Sequence, residues 1–402
     1  MRIAIDASHW AIPGGIRSYL ENLLPALGRV APDADLQVLL RGRTSEAADT
    51  LPPGVTAVPM RWPRRILDRL ENSLGLPKVE RFCGKVDAVH GVHFSLPAAR
   101  RGVPSVLTVH DVAYLRRPDL YDDPRGNDYG YRTLLPQALK RADRVIAISH
   151  AAKEDLLAVS SVDPDKVWVV GHGVDPRFTL PTPEEIAAVR RSVGIEGEFI
   201  LFPVGTITPR KNVERTLTAF SVAFPDPMER PTLLLTGPGN LPGTVDQLVG
   251  ALGLDISVRC ASVRYPDDLR ALYGAALFGI YPSLYEGFGL PPLEAMACGL
   301  PMLVADATSC PEVVGDAAEL VDPESTDAIA DGLRRLFDRP QRRERLRALG
   351  RARVSHPAFS WDRVARQTMA VYRGDLAAFR EETDPLTPGL TPEAEPETEV
   401  TA

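Results

Sequence analysis

Short, continuous apolar runs alternate with helical patterns along almost the whole chain. The first run, "RIAID" at 2–6, precedes a helical pattern from about Ile16 to Arg29, and further runs follow at 36–40, 55–58, 86–91, 105–110, 144–149 and 167–170. Strands with one wet face alternate apolar and polar residues; unbroken apolar runs suit strands covered on both faces. Strand–helix alternation of this kind predicts a parallel, doubly wound sheet. Residues 174–185, "VDPRFTLPTPEE", carry three prolines and no apolar periodicity, which reads as a linker. The pattern then restarts, with runs at 199–205, 232–237, 256–260, 277–282, 301–305 and 318–321. A last helical pattern runs from Trp361 to about Arg380, with Ser360 as its N-cap.

The fold class predicted is therefore α/β, two Rossmann-like domains in tandem over 1–178 and 179–358. A helical segment at 359–380 is expected to cross back to the first domain. A length of 402 residues and an apolar content of 44% allow two large cores. No apolar run approaches the length of a membrane span. The N-terminus reads directly as a strand rather than as a signal peptide, and four scattered cysteines (Cys83, Cys260, Cys298, Cys310) without a CxxC suggest reduced cytosolic thiols. The expected location is cytoplasmic, with peripheral attachment to the inner face of a membrane left open. The net charge of −7 is concentrated in the segment 381–402, which has seven acidic residues and no basic one. That segment is rich in Pro, Thr and Glu and reads as disordered. The remaining body is close to neutral, without the basic surplus of a nucleic-acid binder.

In open α/β sheets ligands bind at the carboxyl ends of strands, and the candidate residues all lie at such ends. After the first strand, Gly14 and Gly15 precede a helix whose free N–H groups suit an anion. The fingerprint GxGxxG is absent. His110 and Asp111 follow the run at 105–110. In "VGTITPRKNVERTL", which begins at Val204 and Gly205, Arg210 and Lys211 stand just before a helix for which Asn212 is the expected N-cap. Two cations there oppose the helix dipole, so helix stability does not explain them, whereas a diphosphate would. In "YEGFGLPPLEAMACG", Glu286 lies in the loop after the run 277–282, and a proline at 291 or 292 opens a helix with Glu294 in its first turn. Carboxylates are acceptors suited to sugar hydroxyls. Cations for phosphates beside carboxylates for hydroxyls describe a nucleotide-sugar pocket.

These residues resemble the retaining glycosyltransferases of family 4, which have the GT-B fold: two Rossmann-like domains facing across a cleft. Glu286 and Glu294 match that family's E-x7-E motif, "GTITPRKN" its Arg-Lys segment, "VHD" its central His segment and "PGGIRSYLENL" its N-terminal glycine loop. The resemblance covers about residues 1–378. It implies that Arg210 and Lys211 bind the donor diphosphate and stabilise its departure. Glu294 would take the ribose diol, and Glu286 the sugar hydroxyls around C3 and C4. The backbone N–H groups of Phe288, Gly289 and Leu290 would orient the sugar. Gly205 and Gly14 complete the implied donor set, Gly15 approaches the phosphate, and His110 lies beside the anomeric carbon. Catalysis would then rest on His110, Glu286, Arg210 and Lys211. No nucleophile other than Glu286 suggests itself, and same-face displacement is the expected route.

Neither a metal nor a cofactor is expected. "DAD" at 33–35 precedes a strand rather than following one, and "HGVH" supplies only His90 and His93, one of which is expected to line the acceptor side. The donor favoured is GDP-mannose, since the pattern is similar to mannosyltransferases of surface-polysaccharide assembly (lipopolysaccharide or exopolysaccharide); UDP-hexoses are the alternative. The acceptor is a glycan or a lipid-linked saccharide. Residues 61–85 carry seven basic and three acidic residues, with Trp62, Ile66, Leu67, Leu70 and Leu74 at helical spacing. They read either as a basic amphipathic helix for an anionic membrane or as an ordinary helix with a core face. A nicotinamide or flavin enzyme, a phosphorolytic or disaccharide-forming enzyme of the same fold, and a non-catalytic partner protein remain as rival readings.

Overall fold

The computed structural model describes residues 1–41, 47–60, 62–121, 129–237, 241–382 and 384–386; the side chains at 64, 65, 72 and 73 lie outside the description. Most of the segment expected to be disordered, from 387 onward, also lies outside it. The chain forms two compact units, one of Met1–Gly173 with Ala358–Leu386 and one beginning at Val174 and running to Pro357.

The first unit is built on seven parallel strands: β1 (Arg2–Asp6), β2 (Asp35–Arg41), β3 (Val55–Met60), β4 (Ala88–Val92), β5 (Ser105–Val109), β6 (Arg144–Ala147) and β7 (Val167–Val169). Their order is β3-β2-β1-β4-β5-β6-β7. The interiors of β1, β2, β4, β5 and β6 are almost wholly buried, which is why their sequences are largely apolar runs, whereas the edge strands β3 and β7 are only partly covered. Helix α1 (Gly15–Val30) packs its Tyr19, Leu20, Leu23, Leu24 and Leu27 stripe into the core with Ile3, Ile5, Val38 and Val106. Helix α2 (Arg64–Leu74) is ended by Gly75 in the left-handed conformation.

The second unit repeats the plan with six strands: β8 (Phe199–Phe202), β9 (Thr232–Thr236), β10 (Val258–Ala261), β11 (Phe278–Tyr281), β12 (Met302–Ala305) and β13 (Glu319–Val321). Their order is β10-β9-β8-β11-β12-β13, all parallel. Helix α3 (Val213–Ala223) buries Val213, Leu217 and Phe220 on this sheet, and helix α4 (Leu290–Ala297) follows β11. In both sheets the order reverses at one point, between β1 and β4 and between β8 and β11. A ligand crevice is expected outside the carboxyl ends of the strands at such a reversal.

The chain then returns to the first unit. Helix α5 (Trp361–Arg373) starts from Ser360, whose side chain accepts from the Arg363 N–H, and its Trp361, Val364, Met369 and Tyr372 join the core beneath α1. The single helix expected to reach Arg380 is broken: Gly374 adopts φ 69° and ends α5, and Asp375 caps a new helix α6 (Leu376–Glu381). Asp375 accepts from the Ala378 N–H, a capping bond that favours a fresh start over continuation.

Candidate active site

The β8/β11 reversal brings three charged side chains together. After β8 the chain makes one tight turn, Pro209–Lys211, and after β11 it runs through Ser283–Gly289 before α4. Arg210 Nη1 donates to Glu286 Oε2 at 2.7 Å and to the Tyr285 carbonyl at 2.9 Å. Lys211 Nζ donates to Glu286 Oε1 at 2.8 Å and to the Tyr281 hydroxyl at 2.7 Å, and lies 4.6 Å from the Tyr281 ring centroid. Both carboxylate oxygens of Glu286 are therefore held by cations. Burial alone would raise the Glu286 pKa, but Arg210 and Lys211 outweigh it and hold the group at about 2. Burial lowers the Lys211 value, opposed by Glu286.

The loops around this cluster are tightly fixed. The Leu284 N–H donates to the Arg210 carbonyl. The Glu286 N–H donates to Thr308 Oγ1 at 3.0 Å, and Ser309 Oγ donates to the Glu286 carbonyl at 2.9 Å. Gly205, at φ 66°, donates to the Thr236 carbonyl, and a side chain at neighbouring Gly237 would come within 2.9 Å of the Gly205 oxygen. Phe288 and Gly289 are buried and Leu290 is half-buried, and Gly289 takes φ 100° as α4 begins.

Two expectations about this region need correction. Glu294 is the fifth residue of α4 and so lies in its second turn, because the helix starts at Leu290, ahead of both prolines. Asn212 precedes α3 but its side chain caps nothing. With its backbone left-handed, φ 59°, its side-chain NH2 donates to the Pro282 and Pro323 carbonyls, and its Oδ1 accepts from the Arg215 guanidinium at 2.7 Å rather than from a helix N–H. It thereby ties the start of α3 to the segments after β11 and β13.

Glu294 itself is buried, and Tyr265 donates to its Oε1 at 3.0 Å. Burial raises its pKa to about 7, the Tyr265 bond opposing and Asp175 adding. Tyr265 is half-exposed, with the Arg177 guanidinium 5.5 Å from its ring centroid. Cys298 is buried, and burial first and Glu294 second push its thiol up to about 12, the behaviour of an unreactive packing residue.

In the first unit Gly14 and Gly15 are exposed at the start of α1, and a side chain at either would meet nothing within 4 Å. His110 is buried against the rings of Tyr19 and His172, and its Nε2 has no hydrogen-bond partner among the described residues. Burial lowers its pKa to about 3, so the imidazole is neutral. Asp111 turns to its own backbone, accepting from the Ala113 N–H and from Tyr131. Of the "HGVH" pair, His90 is an interior strut between Thr108 and Tyr372, fully buried. His93, half-buried at φ 71°, stands at the carboxyl end of β4 against Phe94. Asp35 of the "DAD" segment pairs with Arg2 at the amino end of β2. Among the described residues no cluster of three or more His, Cys, Asp or Glu could hold a metal ion.

The spacing of charged residues pointed to Arg210, Lys211, Glu286 and Glu294. It did not point to Tyr281, Thr308, Ser309 or Tyr265. Tyr281 ends an apolar run and reads as core, and no local sequence signal marks a threonine with positive φ.

The description "Glycosyltransferase Family 4" matches residues 13–178, and "Glycosyl transferases group 1" matches residues 185–353. The chain is 30% identical over 289 residues to O-antigen chain mannosyltransferase B of Escherichia coli, an alignment covering 71% of this chain and 73% of that protein. It is 34% identical over 323 residues to D-inositol 3-phosphate glycosyltransferase of Actinosynnema mirum, covering 74% and 75%. Among solved structures, sucrose-phosphate synthase from Thermosynechococcus elongatus superposes with a TM-score of 0.73 at 21% identity, over 94% of this chain and all of that one, and so shares the fold.

Proposed function

The chain belongs to the glycosyltransferases of family 4 and group 1, and from that premise we propose that it transfers a mannosyl group from GDP-mannose with retention of configuration. The acceptor is a glycan or lipid-linked saccharide of surface-polysaccharide assembly. The observation that carries the reading is the Arg210–Lys211–Glu286 cluster at the β8/β11 reversal. Two cations at the carboxyl end of a parallel sheet suit the donor diphosphate and the charge that develops as it leaves. Each carboxylate oxygen has a further lone pair, so Glu286 can accept sugar hydroxyls while ion-paired. A carboxylate held near 2 and neutralised by two cations is a weak nucleophile. This favours same-face displacement, in which the departing phosphate takes the acceptor proton. Glu294 takes the ribose diol, and Gly205, Phe288, Gly289 and Leu290 shape the sugar site. In this reading the first unit contributes the open backbone of Gly14 and Gly15 and the neutral ring of His110.

Thermal shift with GDP, UDP, ADP and their sugar conjugates, without metal and then with magnesium, tests the donor. Selective stabilisation by GDP and GDP-mannose without magnesium supports the reading. Selective stabilisation by UDP forms replaces the donor. No stabilisation by any of them moves the non-catalytic partner reading to the front.

Helix α2 supports a peripheral membrane contact. Its inner face is charged: Asp68 and Glu71 pair with buried Arg41 at 3.2 and 2.7 Å, and only Leu67 of the apolar set is fully buried. Trp62, Ile66, Leu74 and Leu76 are exposed. Gly75, which ends α2, borders a cavity with Lys78, Arg100 and Arg101. The side chains at 61, 64 and 65 lie outside the described residues. No described helix is long and apolar enough to cross a membrane. Exposed apolar residues beside cations suit an anionic lipid surface, on the cytoplasmic leaflet in this reading. Flotation with anionic vesicles at low salt tests it, and failure to float rejects the contact.

A further inference from the structure

We infer that Thr308 and Ser309 are positioning residues of the transfer reaction, which fix Glu286 where the donor sugar meets it. The proposal rests on the reading of Glu286 as a sugar ligand. Among the described residues only three non-glycine positions have φ in the left-handed region: His93, Asn212 and Thr308. Asn and His tolerate that region, whereas a β-branched residue such as Thr is a steric outlier there. Glycine would take φ 51° freely, and this chain uses glycine at many other such turns. A threonine at 308 keeps what glycine lacks, a hydroxyl, and that hydroxyl accepts the Glu286 N–H at 3.0 Å.

The next residue closes the other side. Ser309 is fully buried, and its Oγ donates to the Glu286 carbonyl at 2.9 Å. Both peptide groups of residue 286 are thus held by the segment after β12, while both side-chain oxygens are held by Arg210 and Lys211. The same segment reaches the glycine turn before α4, where a side chain at Gly289 would meet Cys310 Sγ at 3.7 Å. Strain held at one residue to over-determine a neighbour is the pattern of a pre-organised site. Phosphate binding is expected to depend on this clamp less than turnover does, because Arg210 and Lys211 take their backbone from the loop after β8 and also bond the Tyr285 carbonyl and the Tyr281 hydroxyl.

Three variants test it: T308G, T308S and S309A, each measured for thermal stability, GDP affinity, and kcat and KM for GDP-mannose. T308G is expected to keep or raise the melting temperature and to bind GDP within twofold of the parent, yet to lose kcat by about tenfold. T308S, with the hydroxyl back, is expected to recover kcat to within about twofold, and S309A to resemble T308G in kcat. A T308G protein with undiminished kcat overturns the proposal, as does T308S remaining as slow as T308G. Parallel loss of GDP affinity and kcat also overturns it, since that marks collapse of the whole site. Absence of GDP binding and transfer in the parent protein overturns the donor reading itself, and the proposal with it.

Discussion

Replacing Glu286 with glutamine keeps the shape of the side chain and removes its charge. The structure sets the size of the effect. Glu286 is 8% exposed, and its pKa falls from an ordinary 4.5 to about 2. That difference corresponds to about 3 kcal/mol of preference for the ionised form at neutral pH. The glutamine variant loses most of that stabilisation and leaves two cations, Lys211 among them buried, without a counter-charge. Its melting temperature without ligand should therefore drop. Because the folded value lies below the unfolded one, the stability gap is full above about pH 4.5 and closes as pH falls toward 2. Diphosphate should then become the replacement counter-charge, so GDP affinity is expected to hold or rise and to restore much of the lost stability. On the proposed reading of Glu286 as a sugar ligand, turnover should fall by about 100-fold, since that acceptor is lost where charge develops. Thermal shift with and without GDP, titration calorimetry with GDP and transfer of labelled mannose read the three quantities separately. Turnover within threefold of the parent, or GDP affinity lost in step with turnover, would refute the reasoning.

Glu294 has the opposite sign. Its folded value, about 7, lies above 4.5, so it costs stability as pH rises between those values, by about 3 kcal/mol once fully ionised. E294Q should be more stable than the parent at pH 8 and equal to it at pH 4.5, while its donor KM rises; urea unfolding at the two pH values checks the first part. Tyr265→Phe removes the O–H that favours the Glu294 carboxylate, so the midpoint of that pH dependence should move upward in the same assay. His110 is held near 3 by burial, so its ring should show no titration between pH 5 and 8 by NMR, and an inflection near 6.5 would contradict the buried geometry. Asn212→Ala removes two buried hydrogen bonds from a left-handed residue and should cost about 2–3 kcal/mol in urea unfolding, more than Asn212→Gly, which tolerates the backbone.

Much of the fold was legible because parallel strands buried on both faces write themselves as unbroken apolar runs. All thirteen runs became strands, including short ones such as β13. The charged half of the site was legible for a different reason: Arg210, Lys211, Glu286 and Glu294 stand where neither helix stability nor a core would put them. What failed depended on backbone conformation or on partners distant in sequence. The left-handed backbone of Asn212, the strain at Thr308 and the entry of α4 at Leu290 are set by packing that no local pattern encodes. The core-face reading of helix α2 held only at Leu67. Its apolar residues suggested a core face or a membrane face, yet its inner face is an ion-pair cluster around Arg41, a residue 27 positions from Asp68.

The return of the chain to its first unit has a consequence for biosynthesis. Tyr372 donates or accepts a hydrogen bond at His90, 282 residues earlier, and Trp361 stacks on His172 across the whole of the second unit. The second unit is, in genetic terms, an insertion within the first. During translation residues 174–357 can collapse as soon as they leave the ribosome, whereas the earlier-made half must wait, with the groove beneath α1 open, until its closing helix emerges. The unit that is made first is the one finished last. A nascent chain stalled with residues up to 357 outside the ribosome and the segment from 361 still inside should carry a protease-resistant second unit joined to a first unit that is still cleavable.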